Sequence, residues 1–264
     1  MNLVHITSLE LPALAPYARL TEAQLRNRLH PGEGLFICES EKVIRVALAA
    51  GMQPVSFLCE AKYIDTQVRA MAGPWPGVPV YTAGREVLAA LTGYELSRGV
   101  LCAMRRPTER GMGEVCEGAR RVAVLDGVVN SENTGAIFRA AAALGIDAVL
   151  LTRTCCDPLN RRACRVSMGT VFQLPWTWLD HYGQLKELGF STVALALTDR
   201  SVPIDHPSLK QHDRLAIILG TEGDGLADSV LQRCDHVARI PMQRGVDSLN
   251  VAAAAAVAFY ELTR

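Results

Sequence analysis

From residue 34 to the C-terminus, short apolar runs alternate with amphipathic stretches, and this alternation constrains the fold more than any other feature. The run Leu215-Ala216-Ile217-Ile218-Leu219 has no polar position, so it is expected as a strand covered on both faces. The same logic predicts strands over 34–38, 55–59, 78–81 and 99–104, with helices over 41–50, through 63 and 68, and over 86–91. Ser40 is placed to cap the first of these helices and Gly51 to close it. Residues 105–113 are charged, glycine-containing and aperiodic, which marks a linker and a boundary near residue 115. Beyond it, strands are expected over 121–126, 148–152, 192–197, 215–219 and 237–240. Helices are expected over 136–144, around 160–167, over 181–188, after residue 225, and over 249–262. Strands alternating with helices imply an α/β fold with a mainly parallel sheet covered on both faces.

The 264 residues suit one large or two modest domains, and a hydrophobic fraction of 49% excludes a disordered or low-complexity chain. The longest apolar run, 251–259, is too short and too rich in alanine to span a bilayer, so no membrane partner is expected. The N-terminus lacks a basic stretch followed by an apolar core, so no signal peptide is expected and the location is expected to be cytoplasmic. Eight cysteines without a C-x-x-C pair fit reduced thiols better than a zinc or disulfide framework. The six histidines are scattered, and no metal is expected. Basic and acidic side chains cancel at 27 each, which removes a uniformly basic surface as a sign of nucleic acid.

Three segments can carry chemistry. Gly220-Thr221-Glu222-Gly223-Asp224-Gly225 follows a buried strand, where open α/β sheets bind ligands. Its spacing is neither a dinucleotide fingerprint nor a P-loop, and a tight turn without a ligand is equally open. In Asn130-Ser131-Glu132-Asn133-Thr134-Gly135, Asn133 or Thr134 can cap a helix on which Arg139 follows. Arg139 either faces water or grips an anion with its planar fork, and composition does not choose. Finally, Ile240-Pro241-Met242 and Asp247-Ser248-Leu249-Asn250 lead into an alanine-rich helix suited to very close packing.

In this order and spacing, these segments resemble the SpoU (TrmH-type) RNA 2′-O-ribose methyltransferases of the SPOUT superfamily. The similarity extends from about Val122 to the C-terminus and includes Arg165-Val166-Ser167-Met168-Gly169, which is similar to the family's Arg-x-Ser-x-Gly element. Residues 34–104 look like the small α/β substrate-binding domain often found before that catalytic domain. Ser131 stands where the family often has proline, and Ala252 where it often has serine.

The resemblance implies an N-terminal α/β RNA-binding domain over 1–104, a linker over 105–119 and a methyltransferase domain with a trefoil knot over 120–264. It implies S-adenosylmethionine as cofactor and a homodimer as the working form. Gly220, Ile240 and Leu249 would line the adenosine pocket, with Glu222, Met242 and Ser248 adjacent. Arg139 would act on the ribose 2′-hydroxyl, Asn133, Ser248 and Asn250 would orient the reacting groups, and Glu222 would fix the cofactor loop. A guanidinium pKa above about 12 makes arginine a poor base at neutral pH. Holding phosphate and stabilising the developing alkoxide is the role its chemistry fits. The expected substrate is structured RNA, with ribosomal RNA slightly favoured over transfer RNA. The alternatives are an inactive RNA-binding module that keeps the knot, and a base methyltransferase with the same cofactor pocket. Under the neutral total charge, Arg105, Arg106, Arg110, Arg120, Arg121, Arg153, Arg161, Arg162 and Arg165 cluster in a way that fits a local phosphate track.

Overall fold

The computed structural model describes residues 1–264 except 7, 9, 19, 28, 93–98, 222 and 224. The chain divides into two compact units, Met1–Thr108 with Leu159–Phe172, and Glu109–Pro158 with Gln173–Arg264.

In the first unit the expected apolar runs become strands β2 (Leu35–Glu39), β3 (Pro54–Glu60), β4 (Pro79–Ala83) and β5 (Val100–Arg105). An unforeseen edge strand, β1 (Asn2–His5), joins them in the order β1-β4-β3-β5-β2. Neighbours β1, β4 and β3 run parallel, whereas β5 is antiparallel to β3 and β2. One core cluster gathers Leu14, Tyr17, Leu25, Ile37, Leu58 and Leu101. Tyr17 brings a polar atom into it, and its hydroxyl donates to the Ser56 carbonyl (2.8 Å) while accepting the Ala103 N–H (3.1 Å). Burial pushes this phenol well above the usual tyrosine range.

The segment Leu159–Phe172, expected with the downstream part, is built into this unit. Phe172 packs on Phe36 with ring centroids 5.6 Å apart. A Cβ at Gly169 would lie 2.9 Å from Val46, so only glycine allows this approach. Arg165, on the helix Arg161–Val166, donates to both carboxylate oxygens of Glu39 (3.3 and 3.4 Å), and Glu39 is only 5% exposed.

Ser40 does precede the helix Glu41–Ala49, but its side chain makes no capping bond. It adopts φ 81° and ψ 144°, a conformation open to glycine and costly for a residue with a Cβ. Its N–H bonds the Val100 carbonyl at 3.0 Å, which holds the strained peptide in place. Ser40→Gly is expected to stabilise the protein by about 1 kcal/mol; an unchanged or lower urea midpoint would refute this.

The second unit is a seven-stranded sheet in the order β10-β12-β9-β11-β6-β7-β8, parallel throughout. Its strands are β6 (Arg121–Leu125), β7 (Ala148–Thr152), β8 (Trp176–Leu179), β9 (Ser191–Leu195), β10 (Val202–Pro203), β11 (Leu215–Leu219) and β12 (His236–Arg239). Val122, Val124, Leu150, Ile218 and Val237 form the core on one face with Leu185, Phe190 and Leu231. Ala123, Leu125, Ile217 and Leu219 are buried as well, and alternation turns them to the other face. There the helix Val251–Leu262 packs on β11 and on the helix Ser131–Ala143.

At the N-terminal ends of the strands, His212 and His236 meet through their Nε2 atoms at 2.8 Å. Burial, then the facing His212, then His206 lower the pKa of His236, with Asp235 opposing them. The unfolded chain therefore takes up this proton more readily than the folded one. Stability is expected to be complete above about pH 6.5 and to decline as pH falls toward the lower folded value. Thermal melting between pH 8 and 5.5 checks this, and His236→Asn should flatten the profile over that window.

Candidate active site

In the parallel sheet all strand ends align, so the loops that follow β6, β9, β11 and β12 share one edge. The chain leaves β11 through Gly220, where a Cβ would lie 2.6 Å from the Gly225 carbonyl carbon. Thr221 and Gly225 pair in an antiparallel bridge, with Gly223 at φ 99° and Gly225 at φ 68°. The glycine spacing thus makes a tight turn returning on itself. The loop after β6 packs on this turn, because a Cβ at Gly127 would lie 3.0 Å from the Thr221 methyl.

A cavity of about 890 Å³ opens beside the turn, lined by residues following β9, β11 and β12 and by the start of the last helix. Gly220, Ile240, Met242, Ser248, Leu249 and Asn250 all line it, which brings six of the sequence-predicted residues to one place. Glu222 lies outside the described residues. The loop after β9 is fixed internally, because the Ser201 hydroxyl donates to the Thr198 carbonyl at 2.7 Å and accepts the Thr198 N–H at 3.4 Å. Arg239 in turn donates to the Ser201 carbonyl and hydroxyl. Thr198 lines the cavity, and its hydroxyl is buried with no hydrogen-bond partner among the described residues. Such an atom is costly to bury unless a ligand pairs with it. Sequence analysis missed Thr198, since a lone threonine after a strand carries no pattern.

The cap of the first helix differs from expectation. Asn130, not Asn133 or Thr134, caps the helix Ser131–Ala143, its side chain accepting the Glu132 and Asn133 N–H groups. The helix therefore begins a turn earlier than predicted, which frees Asn133 for another task. Asn250 caps the helix Val251–Leu262. Its other side-chain atom, Nδ2, donates to Oδ1 of the buried Asn133 at 3.1 Å and joins the first motif to the third. Arg139 is exposed on the first of these helices, outside the residues lining the cavity, and makes no hydrogen bond or ion pair with another described residue.

The loop that carries Asn130 is also anchored from behind. The Asp126 N–H bonds the Leu219 carbonyl (2.9 Å), and the Tyr182 hydroxyl donates to Asp126 Oδ2 (2.8 Å). Burial, then the bond to Asp126, drives the Tyr182 phenol above the ordinary tyrosine range. An aspartate after a buried strand was the available signal for this anchor.

Arg105, Arg106, Arg161, Arg162 and Arg165 belong to the first unit and Arg110 to the second. Arg105 donates to the Gly32 carbonyl (3.2 Å), Arg165 to Glu39, and Arg110 lies 3.9 Å from Glu114. The Arg161 N–H bonds Glu22 (3.3 Å), and the Arg162 N–H bonds the Asn160 cap.

Residues 120–260 match the model of the SpoU rRNA Methylase family. The chain belongs to the SpoU rRNA methylase family. An uncharacterized tRNA/rRNA methyltransferase of Mycobacterium bovis is 40% identical over 258 residues, 96% of this chain and 89% of that one. A 23S rRNA (guanosine-2′-O-)-methyltransferase of Bordetella pertussis is 34% identical over 152 residues, 57% of this chain and 62% of its own. The fold is shared by an AdoMet-bound rRNA methyltransferase from Sinorhizobium meliloti, with TM-score 0.83, 23% identity and coverage of 98% and 97% of the two chains. In this SpoU chain the matched region begins at β6, so every residue lining the cavity lies within it.

Proposed function

We propose that this SpoU chain transfers a methyl group from S-adenosylmethionine to a ribose 2′-hydroxyl of structured RNA. RNA methylation comes with family membership; cofactor and acceptor are the finer part. The observation that carries the proposal is the cavity at the strand ends, lined by Gly220, Ile240, Met242, Ser248 and Leu249 and edged by the Asn250–Asn133 bond.

The residues present fit the cofactor. The cavity has the size and the mixed polar and apolar lining that an adenosine group needs. When bound, S-adenosylmethionine would supply an electrophilic sulfonium methyl that an oxygen nucleophile accepts, with the neutral thioether leaving and the hydroxyl proton lost. Backbone groups of Gly220, Ile240 and Leu249 hold adenosine, with Met242 and Ser248 beside it and Glu222 fixing the loop. Asn250 and Asn133 keep the first and third motifs in register. Arg139, uncommitted among the described residues, holds an RNA phosphate and stabilises charge developing on the 2′-oxygen.

The domain over 1–104 presents RNA through a linker over 105–119, and the domain over 120–264 performs the transfer. The trefoil knot belongs to the same proposal. β12 lies between β9 and β10, and the 196–201 connection joins those two strands past the end of β12, with Arg239 bound to Ser201. A homodimer is supported by apolar side chains left exposed beside the cavity and on the last helix, among them Val246, Leu249, Val257 and Tyr260. Ribosomal RNA is favoured, in keeping with the Bordetella relative. Among the described residues no helix is long and apolar enough to cross a membrane, which accords with a cytoplasmic location. Nucleoside mass spectrometry of RNA treated with the protein and S-adenosylmethionine tests the proposal. A ribose-methylated nucleoside supports it, and a base-methylated product or no product overturns it.

A further inference from the structure

The C-terminal ends of β7 and β8 carry a cluster that the proposed transfer does not use. Arg153, the residue after β7, donates through Nη1 to Glu109 Oε2 (3.3 Å) and through Nε to Asp180 Oδ1 (3.3 Å). Its Cζ lies over the Trp178 ring, 5.5 Å from the centroid, and Trp176 meets Trp178 edge-on with centroids 6.0 Å apart. Trp178 is buried, while the Arg153 side chain remains 51% exposed.

The two carboxylates engage Nε and Nη1, so the guanidinium keeps fewer N–H groups for a phosphate. Hydrogen bonds to a guanidinium lie in its plane, and here they hold two of its edges. They leave its faces for stacking. Trp178 lies beside the guanidinium, whose side chain is half exposed to solvent. A flat, oriented, charge-compensated surface of this kind is suited to a nucleobase, which stacks on guanidinium planes as it does on aromatic rings. Its position suits the same substrate. In the sheet order β11-β6-β7, the end of β7 is two strand spacings, about 10 Å, from the end of β11, where the cavity opens.

We propose that Arg153 is a stacking platform for a nucleobase of the RNA substrate, adjoining the nucleotide that reacts. The proposal rests on the RNA-methylating function given above. Glu109 and Asp180 are positioning residues that hold the guanidinium beside Trp178.

The test is fluorescence anisotropy with a labelled ten-nucleotide oligoadenylate, and with the same oligomer carrying abasic riboses. Wild type is compared with Arg153→Ala and with Arg153→Lys, which keeps the charge and loses the plane. Both variants are expected to bind oligoadenylate at least about fivefold more weakly, with the dependence on salt unchanged. The abasic oligomer should bind all three proteins alike. Wild-type affinity in Arg153→Lys would show that charge, not stacking, is used, and would overturn the proposal. So would unchanged affinity in Arg153→Ala, a salt slope smaller by about 0.7 as for one lost phosphate contact, or no binding of oligoadenylate by wild type. Methyl transfer to total RNA is measured in parallel. If wild type transfers methyl and these affinities do not change, the platform alone fails; if wild type transfers none, the function fails.

Discussion

Arg139→Ala is expected to reduce methyl transfer by at least about a hundredfold while changing the affinity for S-adenosylmethionine by less than about twofold. The separation follows from geometry. Arg139 is on the exposed side of the helix Ser131–Ala143 and does not line the cavity, so its loss leaves the proposed cofactor pocket intact. The helix keeps its Asn130 cap, and the deleted side chain is not packed in the core, so folding is expected to be unaffected. A charge near the 2′-oxygen is most useful as that oxygen becomes negative, and its removal should therefore lower kcat more than it raises KM. Arg139→Lys keeps the charge without the planar fork and should recover part of the rate. Single-turnover methylation and calorimetric titration of the cofactor check both halves. Near-normal turnover in Arg139→Ala would remove this residue from the chemistry.

The largest stability effect is expected at Arg165. Glu39 is buried in the first unit, and Arg165 supplies the cation paired with its carboxylate. Arg165→Ala leaves that carboxylate in a low-dielectric site, where breaking a buried pair typically costs several kcal/mol. Since the Arg165 side chain is itself about a third exposed, water recovers part of this cost, and about 2–4 kcal/mol is expected. Adding Glu39→Gln to Arg165→Ala should restore much of the loss, because a neutral amide is cheaper to bury. Urea unfolding of the two single variants and the double variant gives the coupling directly. If Arg165→Ala alone unfolds at the wild-type midpoint, the ion pair has no structural weight and the arginine is free for RNA.

These two arginines show what was legible in the sequence. Buried parallel strands announced themselves, because a run such as Leu215–Leu219 has one physical explanation, and its observed bounds are those expected. The edges were harder. β1 is mostly exposed and β10 is only two residues long, so neither carries an apolar pattern. The cavity residues were legible through the resemblance of three ordered motifs, not through composition. The charged residues were not legible at all. Sequence clustering suggested one role for Arg153, Arg165 and Arg105, but their partners come from distant segments. Arg153 meets Glu109 and Asp180, Arg165 meets Glu39, and Arg105 meets the Gly32 carbonyl. A guanidinium's task depends on which acceptors the fold delivers to it. That information is spread over the whole chain.

The place of β12 in the sheet also orders the birth of the molecule. It follows β9, β10 and β11 along the chain, yet it occupies an interior position, and among the described residues the two-residue β10 pairs with no other strand. Before β12 is in place, β9 has one partner instead of two and the cavity lacks its third wall. The nascent chain thus displays an open seam with unpaired backbone groups, a surface that invites association with other nascent chains. Insertion of β12 closes the seam and completes the pocket in the same step.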